Sequence, residues 1–204
     1  MKDSKNIVLI KKLRNYIILF IQTVVFLGCT ACKSSTNNDP PIIDNPHLAT
    51  ATWISTQKEL PTIDSLLYDD DPTPIFRKEF TVKNTIRSAT LFITSAGYYR
   101  ATLNEKRIGK NYLDPAWTNF EKRVYYSEYD LTTEVKEGSH CLGVTLGNGF
   151  YNPLPMRMWG SRNLRDALPH GKPAFIALLK LEYINGKIEE IMFIWEKFMM
   201  EGKK

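Results

Sequence analysis

The sequence predicts an all-β sandwich, and three observations carry that reading. From about residue 50 onward, apolar and polar residues alternate with period two in run after run. The runs are short and are separated by clusters of Gly, Pro, Asn and Asp, the usual punctuation of antiparallel strands. After residue 30, no stretch of ten or more residues holds an apolar period of 3.6. Strands without helices to cover them bury their apolar faces against one another. A jelly-roll-like β-sandwich is therefore expected over 50–191.

The elements follow in order. Pro74 to Phe80 alternates Phe76, Lys78 and Phe80 against Ile75, Arg77 and Glu79. Ala89, Leu91 and Ile93 alternate with Thr90, Phe92 and Thr94, so both faces of that strand should be covered. Tyr98 to Leu103 is β-rich, and Asn104-Glu105 turns it into a hairpin. Arg123 to Tyr129 is aromatic and alternating. One helical turn at most is expected over Asp130 to Val135. His140 to Leu146 is apolar and ends at Gly147-Asn148-Gly149, which gives backbone freedom at a strand end. Ala174 to Ile184 runs into Asn185-Gly186, the best hairpin signal in the chain, and Lys187 to Ile191 returns from it. Cys141 lies in an apolar alternation that suits a buried thiol.

The 204 residues carry a formal net charge of +5. Lys2, Lys5, Lys11, Lys12 and Arg14 stand against Asp3 in the first 28 residues, leaving 22 basic and 21 acidic residues beyond. An apolar run from Tyr16 to Leu27 follows the basic segment. This is the pattern of a secretory signal peptide, and the run is short for a membrane span. Gly28-Cys29 and Ala31-Cys32 resemble a lipobox, which makes Cys29 or Cys32 the lipidated residue of an exported, outer-membrane lipoprotein. The expected organisation is a signal peptide over 1–32, a polar tether over 33–49, the sandwich over 50–191 and an aberrant tail over 192–204. The positive charge thus belongs to export, and no nucleic-acid partner is expected.

Little else points to catalysis. His47, His140 and His170 lack metal-ligand spacing. Asp69-Asp70-Asp71 reads as a solvated acidic loop. Asp114, Glu121, Glu128 and Asp130 share one polar region, but a hydrolytic pair must face each other across a sugar. The aromatics Trp117, Phe120, Tyr125, Tyr126, Phe150, Tyr151 and Trp159 lie among Asn104, Asp114, Asn148, Arg157 and Arg162. Aromatic faces pack on sugar C–H groups while planar polar groups meet hydroxyls. A carbohydrate site is therefore expected from Asn104, Asp114, Trp117, Asn148, Tyr151, Trp159 and Arg162.

Five segments resemble the N-terminal β-sandwich of bacterial α-L-rhamnosidases of glycoside hydrolase family 78. They are Ala51 to Ile54, Pro74 to Phe80, Ala96 to Asn104, Leu113 to Tyr126 and Leu146 to Tyr151. The most specific pieces are Leu113-Asp-Pro-Ala-Trp-Thr118 and Gly147-Asn-Gly-Phe-Tyr151. The resemblance implies a galactose-binding-like sandwich that is a non-catalytic part of an enzyme acting on rhamnose-containing plant glycans. It also implies that the two catalytic acids sit in a helical barrel far downstream, so no catalytic residue is expected here. In some relatives a related sandwich binds rhamnose through calcium, and by position Asn104, Asn148 and Pro153 are the ligands to look for. The family pattern is left after the Asn185-Gly186 hairpin, and a frameshift or early stop in a longer gene is the expected cause. The alternative is an independent surface sugar-binding or adhesion lipoprotein.

Overall fold

A computed structural model describes residues 45–193, except Gln57, Asp71 and 159–161; for Arg157, Met158 and Arg162 it describes the backbone alone. The expected signal peptide, its Cys29 and Cys32, most of the tether and residues 194–204 of the tail lie outside the described residues.

Two antiparallel sheets pack face to face. The first joins β1 (Ile54–Ser55), β10 (Ala174–Tyr183), β3 (Ile86–Ala96) and β6 (Ser127–Asp130) in that order, with β11 (Ile188–Met192) also on β10. The second has the order β2 (Ile75–Val82), β7 (Gly138–Gly147), β4 (Tyr98–Leu103) and β5 (Lys106–Arg107). A small hairpin of β8 (Arg157–Met158) and β9 (Arg162–Asn163) leads into a single-turn helix, α1 (Leu164–Ala167).

Alternation places the core. Ala89, Leu91 and Ile93 of β3 and Phe175, Ala177, Leu179 and Leu181 of β10 face inward. They meet Tyr99, Ala101 and Leu103 of β4 and Leu142, Val144 and Leu146 of β7. The Phe175 ring stands between Phe76 (centroids 5.1 Å apart) and Phe193 (5.2 Å). Phe193 is 5% exposed, so the chain is still part of the core one residue past β11. The outer face of the first sheet is covered as well: Leu48, Ala51 and Trp53 pack on Phe92, Ile176 and Leu178. That explains the double-sided apolar pattern of β3, and it docks the last residues of the expected tether on the sandwich.

The turns obey local chemistry. β4 and β5 are joined by Asn104 and Glu105, both at positive φ (48° and 69°), as a two-residue hairpin loop demands. Gly186 (φ 82°) closes the β10–β11 loop, with its N–H donating to the Tyr183 carbonyl at 2.9 Å. Two expectations change. The strand expected over Arg123 to Tyr129 begins only at Ser127, because Tyr125 and Tyr126 are exposed loop residues. Cys141 is half-exposed, because the inward parity of β7 belongs to His140, Leu142, Val144 and Leu146. The chain also forms α1, which Asn163 caps by accepting the Arg165 N–H at 3.1 Å.

Candidate carbohydrate-binding site

One end of the sandwich collects most of the expected site. β3 turns into β4 at Gly97, β7 ends at Gly147 and β10 begins at Ala174. Gly97 has φ +107°, and a Cβ there would stand 2.5 Å from the Gly147 carbonyl oxygen and 3.2 Å from that of Asn148. Only glycine permits this close approach, which sets the 148–156 loop beside the β3–β4 turn.

Asn104 is not at this end. Tyr98 pairs with Gly147 and Leu103 with Leu142, so Asn104 lies past the opposite end of β4, about 20 Å from Asn148 at ~3.4 Å per residue. Its carboxamide is spent locally. Nδ2 donates to His140 Nδ1 at 2.9 Å, and Oδ1 accepts the Cys141 N–H at 2.9 Å. Asn104 is a turn former, and it shares neither an ion nor a sugar with Asn148.

Asn148 and Pro153 do converge, but around a different cation. Asn148 Oδ1 accepts from Asn152 Nδ2 at 2.9 Å. Arg165 Nη1 donates to Asn152 Oδ1 at 2.7 Å and to the Pro153 carbonyl at 2.8 Å. The expected calcium ligands therefore do not fit that ion: one is at the far end, and the Pro153 oxygen already faces a guanidinium that would repel it. Among the described residues, no group of three His, Cys, Asp or Glu side chains is placed to hold a metal.

The aromatics divide into buried and exposed. Phe120 packs with Ala96, Val124, Trp53 and Tyr151 and anchors the 117–126 loop to the sandwich. Tyr151 meets Phe120 edge-on at 5.1 Å, and its hydroxyl lies 2.7 Å from where a Gly171 Cβ would be. Burial, aided by the charge of Glu121, pushes the Tyr151 phenol up, so this ring is chiefly structural. Trp117 (54% exposed) and Phe150 (44%) are different: their centroids are 5.5 Å apart, and both residues are exposed. Trp159 and the Arg162 side chain lie outside the described residues.

Asp114 also serves structure. It precedes Pro115 across a cis peptide, and its carbonyl accepts the Tyr99 N–H at 2.9 Å. Its Oδ2 accepts from the Tyr129 hydroxyl at 2.8 Å, and its Oδ1 from Asn111 Nδ2 at 3.1 Å. Since the Tyr129 proton points to Asp114, the Tyr99 hydroxyl donates to Tyr129 Oη, 3.2 Å away. Burial pushes both phenols up. The relay joins the second sheet to the edge strand of the first and fixes the root of the Trp117 loop. Asp130 is held below the usual carboxylate range by the Thr132 hydroxyl and N–H, the opposite of what a general acid requires. Sequence reasoning missed Asn152 and Arg165, whose only signal was a third arginine after Arg157 and Arg162.

The alpha-L-rhamnosidase N-terminal domain profile matches residues 84–194. An alpha-L-rhamnosidase of Formosa agariphila is 36% identical over 115 residues, 56% of this chain and 12% of the relative. One from Alteromonas sp. is 30% identical over 138 residues, 65% of this chain and 14% of the relative. Among solved structures, the Aspergillus terreus alpha-L-rhamnosidase aligns at TM-score 0.57 with 28% identity, covering 72% of this chain and 16% of that one. The Streptomyces avermitilis enzyme complexed with L-rhamnose aligns at TM-score 0.51 with 34% identity, covering 58% and 11%. The chain thus spans only 11–16% of the length of these four proteins. With more than half of its residues matched by the profile, the chain belongs to the alpha-L-rhamnosidase N-terminal domain family.

Proposed function

We propose that this chain is a non-catalytic N-terminal module of a surface α-L-rhamnosidase acting on rhamnose-containing plant glycans, and that the module holds the glycan. The small share of each relative that it spans supports the first part: hydrolysis would reside in the catalytic barrel of the parent enzyme. The exposed Trp117–Phe150 pair carries the second part. Two half-exposed rings beside a polar loop offer a face for the C–H surface of a sugar. The basic and apolar leader with Cys29 and Cys32 supports export and a lipid anchor in the bacterial outer membrane.

Calorimetry of the full chain with L-rhamnose tests the binding. Heat of binding is expected with or without calcium, because Arg165 stands where an ion would be needed. Trp117→Ala should weaken binding about tenfold without changing the melting temperature. No heat in either condition would reduce the module to a scaffold. Incorporation of a labelled fatty acid, lost in Cys29→Ser or Cys32→Ser, tests the anchor.

A further inference from the structure

We infer that β2 is a docking edge for a second copy of this chain, and that two copies pair antiparallel about a twofold axis at Lys78. Among the described residues, β2 is bonded to β7 alone, so it ends the second sheet. Its outward row is open to solvent: Ile75 is 58% exposed, and the Arg77 and Glu79 side chains are 62% and 79% exposed. On the inner face Phe76 and Lys78 are only half-buried, while Phe80 and Val82 are buried. The margin of the core is therefore not sealed where β2 begins. An edge strand of 8 residues is long, and such an edge is a template for pairing with another chain.

Backbone parity and charge select the partner and the register. The Leu146 N–H donates to the Pro74 carbonyl at 3.1 Å, so the even-numbered residues of β2 are the ones that bond β7. Alternation then turns the N–H and C=O groups of Ile75, Arg77, Glu79 and Thr81 away from β7. A second β2 can bond these groups only where odd residues stand opposite odd residues. Three registers meet that condition and keep most of the strand paired. One sets Arg77 against the partner's Arg77, and another sets Glu79 against the partner's Glu79, so like charges face each other in both. The third sets Arg77 against the partner's Glu79 and Glu79 against the partner's Arg77, with Ile75 opposite the partner's Thr81. Every outward charge then meets its opposite. Arg77 Nη2 also lies 3.3 Å from Glu79 Oε1 of its own strand, so the charges close into a network. On the inner face the same register brings half-buried Phe76 beside the partner's Phe80. It also opposes Lys78 to the partner's Lys78, which is one like-charge pair against two opposite pairs, and Lys78 is engaged within its own chain. The contact is isologous and closes at two copies, because each copy brings one β2 edge.

Sedimentation equilibrium of the full chain from micromolar to millimolar concentration tests this, together with hydrogen exchange read residue by residue. A monomer–dimer equilibrium is expected. Exchange of the Ile75, Arg77, Glu79 and Thr81 amides should slow as the dimer fills, while that of the even-numbered residues stays constant. Arg77→Glu or Glu79→Arg alone should weaken the dimer about tenfold or more, since each turns both central pairs into like-charge pairs. An equimolar mixture of these two variants should dimerise again as a heterodimer, because the charges then match across the axis. The double variant carrying both changes should dimerise for the same reason. A chain that stays monomeric throughout would overturn the inference, as would association that the single reversals leave unchanged. Protection of the four odd-numbered amides in the monomer would give this edge to another segment of the same chain, and would overturn it too.

Discussion

Replacing Tyr99 with phenylalanine should reverse the sign of its effect on stability between neutral and strongly alkaline pH. Tyr99 is 6% exposed and donates to the Tyr129 hydroxyl. At pH 7 the variant loses one buried hydrogen bond, about 1 kcal/mol. Above pH ~10 the unfolded chain releases the phenol proton while the folded protein keeps it, since burial raises the folded value. The raised value means stability present below the unfolded pKa and lost as pH rises beyond it, at about 1.4 kcal/mol per pH unit. By pH ~11 the wild type has forfeited about 1.4 kcal/mol that the phenylalanine variant never had at risk. Urea denaturation at half-unit steps from pH 8 to 11.5 should show the two stability curves meeting near pH ~11. Parallel curves through that range would refute the argument, because they would mean that the Tyr99 phenol ionises as freely in the fold as outside it.

Three further outcomes follow. Phe193→Ala should cost about 3 kcal/mol, read from the shift in urea midpoint, because the ring is buried on Phe175; a surface-like loss under about 0.5 kcal/mol would show that the core ends at Met192. Gly97→Ala should cost ~3 kcal/mol or more in the same assay, from positive φ and the Gly147 carbonyl together. Cys141 should react with a thiol reagent in the folded protein at a rate that low denaturant leaves unchanged, as a half-exposed outward thiol must; protection until global unfolding would return it to the interior.

Period-two alternation revealed the strands because each sheet has one inward face, and the doubled pattern of β3 revealed that a second layer covers it. The hairpins at Asn104 and at Gly186 followed from turn chemistry that is local by nature. The site was less readable. Trp117 and Phe120 look alike in sequence, yet one is exposed and the other anchors a loop, since their difference arises from what Trp53 and Tyr151 bring from elsewhere. Asn104 and Asn148 look equivalent as oxygen donors, and only the β4–β7 register separates them. Arg165 reads as a surface charge in Arg-Asn-Leu-Arg; its burial depends on the Asn152 and Pro153 acceptors, which the chain's folding back supplies.

β1 and β11 share one side of β10, with Ile54 opposite Phe175 and Met192 opposite Leu178. Both run antiparallel to β10, so the first and last strands lie nose to tail along a single line. Tension applied to the chain between Ile54 and Met192 would enter at that junction and peel each strand outward, one ladder bond at a time. Strands loaded in this way unzip instead of shearing. Pulled from both sides of this junction, the described chain would therefore yield first at this seam, with the Phe175–Phe193 contact as its catch.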